Sequence, residues 1–375
     1  MREFHESQVI VHGAENVSAL NNILGECGAR NVLLVCGKSF FSLTIAHIIK
    51  DSKVSFTIFQ DFSPNPKYED IVLGVKSFKD HGCDTILAIG GGSAIDVAKC
   101  IKAFAPMGDD APYYQQPIVA SSIPLVALPT TAGTGSESTQ FAVIYIDGEK
   151  ASLSHSCLLP EYAILEPSVL QTLPSYQKKC SMLDALCQAL ESWWSVNADA
   201  QSINFAKQAV QKWLESQNGY LKNASEGNIG MLLASNLAGR AINITKTTAP
   251  HAMSYKMTTL FKIPHGHAVA LAFPHVWRFV LDHPQACIDE RGSVYVLDTF
   301  LQMASALGQE TVEQAIIWFT SLLEKLGILP PNQVNPEEFD MLIHSVNLER
   351  LKNSPMQLDL QALTDIYAGI FQRSV

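Results

Sequence analysis

His251 and His265 stand fourteen positions apart, the second inside a Pro-His-Gly run whose composition predicts a turn. Upstream, the run Met182–Glu191 places Asp184 and Gln188 four residues apart, one above the other on a helix face. An aspartate and two imidazoles converging from separate helices would hold a divalent metal and leave coordination positions open for substrate. Such a metal is a Lewis acid for carbonyl chemistry. Each residue also has a bland alternative. Asp184 could lie on a helix surface, the histidines could be satisfied in a core by hydrogen bonds, and Gln188 could bond water or substrate.

Two glycine-bearing loops each follow an apolar, strand-like run. In the first, Gly90, Gly91 and Gly92 let backbone amides approach a ligand, and Ser93 suits the N-cap of the helix that follows. That helix N-terminus favours negative charge. The loop is not GxGxxG, and alone it could be no more than a tight turn. The second loop, Leu128–Glu137, offers the hydroxyls of Thr130, Thr131 and Thr134 and the exposed backbone of Gly133 and Gly135. Two such loops after neighbouring strands sit at the sheet edge where α/β proteins bind nucleotides. Lys99, on the helix after the first loop, is expected to snorkel along it.

The elements that must position these residues change character along the chain. Residues 31–36, 54–59, 85–89, 124–128 and 141–146 read as strands, with helical periodicity at 17–28 and 70–81. After about Pro167 the pattern turns helical, over 176–194, 200–218, 226–243, 294–307, 312–326 and 360–371, with no convincing strand. The expectation is an α/β parallel-sheet dinucleotide-binding domain over residues 1–166. An all-helical domain carrying metal and substrate follows over 167–375, with a cleft between the two. A chain of 375 residues is long for a single core.

The net charge of −10 argues against a nucleic-acid binder. Eight cysteines without CxxC pairs suit a reduced compartment. The charged N-terminus lacks a signal-peptide core, and no apolar run approaches the ~18 residues of a membrane span. A soluble, cytoplasmic protein is expected.

The two loop sequences, the His-Ala-Met and Pro-His-Gly segments and the junction-like run Leu159–Pro167 resemble the iron-containing (group III) alcohol dehydrogenase family over nearly the whole chain. The resemblance implies an NAD(P)-dependent dehydrogenase, a homodimer, and a metal held by one Asp and three His. It assigns Asp184, Gln188, His251 and His265 to the metal. Gln188 stands where the family has its third histidine, so the metal, Fe2+ or Zn2+, is expected to bind more loosely or to be a different ion. Tyr255 occupies a position where the family commonly has a proton-relay histidine; Tyr255 or His267 is then the proton handler. Asp96 is implied to touch the cofactor, the alternative being a cap on its helix.

Within the family, Ala-Pro-His-Ala-Met-Ser-Tyr and Ile-Pro-His-Gly-His resemble the phosphonoacetaldehyde reductases. A small aldehyde, in particular an anionic phosphonate, is the implied substrate. Lys246 is the preferred anion contact among Lys246, Lys256, Lys262 and Arg240, with His155 a weaker candidate. Gly37, with Lys38 and Ser39 after it, stands where NAD-preferring relatives often place an Asp, which favours NADPH, with NADH the alternative. Three rivals remain: a general short-chain alcohol dehydrogenase, a degenerate nucleotide-binding protein without catalysis, and a lyase related to dehydroquinate synthase.

Overall fold

The computed structural model describes residues 2–5, 8–12, 16–52 and 54–372. Its strands are β1 (Arg2–His5), β2 (Gln8–His12), β3 (Asn31–Cys36), β4 (Ser55–Phe59), β5 (Thr85–Gly90), β6 (Leu125–Pro129), β7 (Phe141–Ile146), β8 (Glu149–Ser154) and β9 (Tyr162–Leu165). Among the described residues seven of them form one sheet in the order β1-β2-β9-β6-β5-β3-β4. Every neighbouring pair is parallel except β1–β2. Helices α1 (Asn16–Glu26), α2 (Ala46–Asp51), α3 (Tyr68–Asp80) and α4 (Gly92–Phe104) lie along the same stretch of chain. This is the α/β parallel-sheet architecture that the sequence pattern predicts.

Two details differ from that pattern. The run at 141–146 is a strand, but it leaves the sheet and pairs antiparallel with β8. Its burial alternates, with Ala142 and Ile144 inside and the residues between them half-exposed, whereas β5 and β6 are buried along their whole length. Continuous burial marks a strand covered on both faces and alternation a strand covered on one. The run Leu159–Pro167, which looks like a junction, contains β9, an interior strand between β2 and β6.

Chain contacts divide the protein into one unit of residues 1–174 and 218–236 and another of 175–217 and 237–375. Helices α5 (Ser175–Trp194), α6 (Ala200–Leu221), α7 (Ser225–Thr245), α8 (Ala249–Phe261), α9 (His265–Asp282), α10 (Ser293–Ala306), α11 (Val312–Leu326), α12 (Pro336–His344), α13 (Leu348–Leu351) and α14 (Leu360–Phe371) complete the chain. In the second unit Trp194 of α5 stacks on Phe273 of α9 with ring centroids 5.0 Å apart and meets Trp277 and Phe300 edge-on or tilted. Apolar burial of such aromatics is the main force holding helices α5 and α9 together.

The two helices also approach at Gly266, where a Cβ would fall 2.1 Å from the Cys180 carbonyl oxygen and 2.9 Å from Asp184 Cβ. The Pro-His-Gly run is therefore not a turn. Pro264 is the N-cap and His265 opens α9, because proline's fixed φ and missing N–H suit a helix start. No helix among the described residues is long and apolar enough to cross a membrane.

Candidate active site

The two glycine and threonine loops meet at the carboxyl ends of β5 and β6. Gly90 pairs with Pro129, and the Thr130 N–H donates to the Gly90 carbonyl at 2.9 Å. A Cβ on Gly92 would lie 3.0 Å from Thr134 Cγ2, and one on Gly91 would lie 3.4 Å from Thr131 Cγ2. Glycine at 92 lets the loops approach this closely, whereas a Cβ at 91 would make an ordinary contact. The N-cap of α4 is Gly91 rather than Ser93. A cap needs extended backbone, which Gly91 has, whereas Ser93 already lies in the first helical turn and bonds the Pro64 carbonyl.

Asp96 ties α4 to its neighbours. It accepts from Ser136 Oγ at 2.7 Å and from the Val143 N–H at 3.1 Å. Burial raises its carboxyl, opposed by Lys99 nearby. Lys99 does not snorkel. It is fully buried and donates to Ser136 Oγ, Thr139 Oγ1 and the Phe141 carbonyl at 3.1, 3.0 and 2.7 Å. Burial lowers its ammonium to about 8, against the pull of Asp96 and Glu137. Gly37 follows β3 and leads a short turn, Lys38–Ser42, with Lys38 and Ser39 exposed; its carbonyl accepts from Gln60.

In the helical unit, Asp184 of α5, His251 of α8 and His265 of α9 bring ligand atoms within 4.8 Å of one another. Gln188 sits one turn beyond Asp184, and both are buried. Gln188 Oε1 and His251 Nε2 are buried without a hydrogen-bond partner among the described residues. Buried polar atoms of that kind point to a bound group. His251 Nδ1 lies 2.5 Å from Glu191 Oε1, and its Nε2 lies 3.4 Å from Asp184 Oδ1. Burial opposes a charged His251, yet the Glu191 and Asp184 carboxylates together push it up to about 9. Asp184 and Glu191 bring two carboxylates to His251, whose charge a divalent cation would balance in place of a proton on that histidine. Exchanging a histidine for Gln188 keeps that balance and replaces a nitrogen donor with a harder oxygen.

His265 Nδ1 lies 3.3 Å from Ser254 Oγ, whose hydrogen goes to the His251 carbonyl at 2.8 Å. The hydroxyl must then accept from Nδ1–H, fixing the tautomer that carries its lone pair on Nε2. Tyr255 lies parallel to the His265 ring, centroids 5.7 Å apart at 11°. Burial raises its phenol, opposed by Arg350, which donates to Oη at 2.7 Å.

His267 does not join this cluster. It lies roughly 200° around α9 from His265 at about 100° per residue. Its Nε2 bonds the Leu329 carbonyl at 3.0 Å and its Nδ1 the Tyr176 hydroxyl at 2.7 Å. Lys246 follows α7 in the left-handed region, with its side chain exposed. Arg240 stacks on Phe205 at 4.0 Å, and His155 caps the turn Ser156–Leu158.

Two residues of the site escape a reading of motifs. Glu191 is fully buried, with Oε2 accepting from the Thr248 N–H and hydroxyl at 2.7 and 2.8 Å. Its signal was present, since 184, 188 and 191 share one helix face. Arg350 lies 95 residues from Tyr255, and no local pattern announces the pair.

Two family models cover most of the chain: iron-containing alcohol dehydrogenase over residues 7–167, and the C-terminal region of the Fe-containing alcohol dehydrogenase family over 179–371. A phosphonoacetaldehyde reductase of Streptomyces viridochromogenes is 30% identical over 294 residues, 75% of this chain and 74% of that protein. An NAD-dependent methanol dehydrogenase of Bacillus methanolicus is 30% identical over 291 residues, 75% of this chain and 76% of that protein. The crystal structure of sulfoacetaldehyde reductase from Bifidobacterium kashiwanohense in complex with NAD+ superposes with a TM-score of 0.87 at 24% identity, covering 100% of both chains. The chain belongs to the iron-containing alcohol dehydrogenase family.

Proposed function

We propose that this protein reduces a small aldehyde to its alcohol with a nicotinamide cofactor, the substrate being phosphonoacetaldehyde and the product 2-hydroxyethylphosphonate. The observation that carries the reductase reading is the cluster of buried Asp184 and His251 with half-buried His265, on which Tyr255 stacks. The similarity to a phosphonoacetaldehyde reductase supports the choice of aldehyde.

Asp184, Gln188, His251 and His265 would hold a divalent ion, Fe2+ or Zn2+. When bound, such an ion supplies Lewis acidity that polarises a carbonyl oxygen. Gly90, Gly91, Gly92 and the hydroxyls of Thr130, Thr131 and Thr134 cradle the cofactor's diphosphate. The exposed Lys38 beside Gly37 favours NADPH through its 2′-phosphate. Arg350 donates to Tyr255 Oη and steadies the phenol, whose proton would pass to the alcohol oxygen as hydride arrives at carbon.

The test is NADPH oxidation with phosphonoacetaldehyde beside acetaldehyde and propanal. The expected result is a kcat/KM preference above about a hundredfold, worth ~2.7 kcal/mol of transition-state discrimination. Equal turnover leaves a general alcohol dehydrogenase, and NADPH binding without turnover leaves a non-catalytic nucleotide binder. A second measurement addresses the unusual ligand. Gln188→His should retain metal against a chelator roughly tenfold better, read as metal content after dialysis. Unchanged retention would remove Gln188 from the ligand set.

A further inference from the structure

We infer that Arg350 is the anchor for a tetrahedral oxyanion on the aldehyde substrate, a role that rests on the reductase reading above and names its substrate class. The guanidinium stands one aromatic ring away from the carbonyl-activating cluster. Its Nη1 donates to Tyr255 Oη at 2.7 Å, its Cζ lies 5.1 Å from the Tyr255 ring centroid, and that ring lies parallel to His265. Arg350 is half-buried, and no carboxylate pairs with it among the described residues. The neighbouring Glu349 is taken by Lys352 at 2.8 Å. Nη1–Tyr255 is the only side-chain hydrogen bond of the guanidinium among the described residues, so its planar fork keeps donors for an incoming group.

A phosphonate presents matched oxygens to such a fork, and its charge supplies the missing counterion. The seat is fixed rather than floppy. Asn353 Nδ2 donates to the Thr247 carbonyl at 3.1 Å, and the Ala249 N–H donates to Ser354 Oγ at 3.0 Å. These bonds clip the α13 segment onto the start of α8, the helix that carries both His251 and Tyr255. The competing cations are placed less well. Lys246 is exposed beyond α7, and Arg240 is occupied by the Phe205 ring.

The test uses the metal-loaded full chain with two readouts. In calorimetry, the unreactive probes ethylphosphonate and ethanesulfonate are titrated into wild type, Arg350→Lys and Arg350→Gln. Affinity for the probe that binds should fall roughly ten- to a hundredfold in Arg350→Gln. Arg350→Lys, which keeps the charge without the fork, should fall between. Whichever probe binds wild type more tightly tells a phosphonate from a sulfonate substrate.

In kinetics, Arg350→Gln should raise KM for phosphonoacetaldehyde, and the preference for it over acetaldehyde should shrink by more than about tenfold. An equal loss for both aldehydes would reduce Arg350 to a support for Tyr255 and overturn the proposal, as would probe affinity that ignores the substitution. If wild type reduces no aldehyde, the reductase reading fails, and calorimetry still judges Arg350 by itself. If Arg350→Gln does not fold, Arg350→Lys carries both comparisons.

Discussion

Gly266→Ala is expected to strip the metal and to destabilise the protein. The added Cβ would lie 2.1 Å from the Cys180 carbonyl oxygen, a backbone atom that no rotamer change can move aside. Relief requires α9 to shift away from α5. His265 is the adjacent residue and Asp184 is the second contact, at 2.9 Å, so any shift separates two of the three clustered ligands. Overpacking a well-filled core costs about 1–3 kcal/mol, and a backbone clash belongs at or above the top of that range. The melting temperature of the unit that holds the site should drop by more than about 5 °C, at roughly 2–4 °C per kcal/mol for a body of about 150–250 residues. Scanning calorimetry and metal analysis check both effects. A variant that melts within a degree of wild type and holds a full equivalent of metal would refute this packing of α5 on α9.

Glu191→Gln is expected to have the second large effect, with almost no change in shape. The carboxylate accepts on both oxygens, from His251 Nδ1 on one side and from the Thr248 N–H and hydroxyl on the other. A glutamine has one acceptor oxygen, so its amide hydrogens must face a donor on one side or the other. The site is fully buried, and water cannot repair the mismatch. Orienting groups behind a ligating histidine typically carry about 10–100-fold in metal affinity. A loss in that range is expected by competition with a chelator, and Glu349→Gln, at an exposed position of α13, should leave affinity unchanged.

The metal-free protein should respond to pH as well. A histidine raised to about 9 contributes stability that is fully present below about 6.5 and is lost as pH rises through about 9. Without the Glu191 charge that window narrows. Wild-type metal affinity in Glu191→Gln would show that the 2.5 Å contact to His251 is incidental.

Much of this architecture was legible in the chain, for identifiable reasons. Beyond the polar first residues of β3 and β5, strands β3, β5 and β6 are apolar and buried because they are covered on both faces, and that pattern reads directly. The convergence of Asp184, His251 and His265 was legible because they sit in short runs of distinctive composition. Strands β2 and β9 were hidden by their brevity and by flanking prolines or charges. Strand β7 showed its type but not its partner, since pairing with β8 depends on Glu149–Ser154, a run with little apolar character. Arg350 was the least legible, because its meaning depends wholly on tertiary contact with Tyr255. His267, by contrast, attracts notice only because it neighbours His265 in sequence, which on a helix means pointing elsewhere.

The buried Lys99 bears on the energetics of cofactor capture. Together with Asp96 it fastens α4 to the segment from Ser136 to Val143 through five hydrogen bonds, two accepted by the carboxylate and three donated by the ammonium. The glycine turn at the head of α4 and the threonine turn before Ser136 are thus two lips of one preorganised mould. Under the proposed cofactor assignment, a dinucleotide entering it would find little backbone left to immobilise, and most of the ordering entropy that a floppy pair of loops would lose on binding would already have been surrendered during folding.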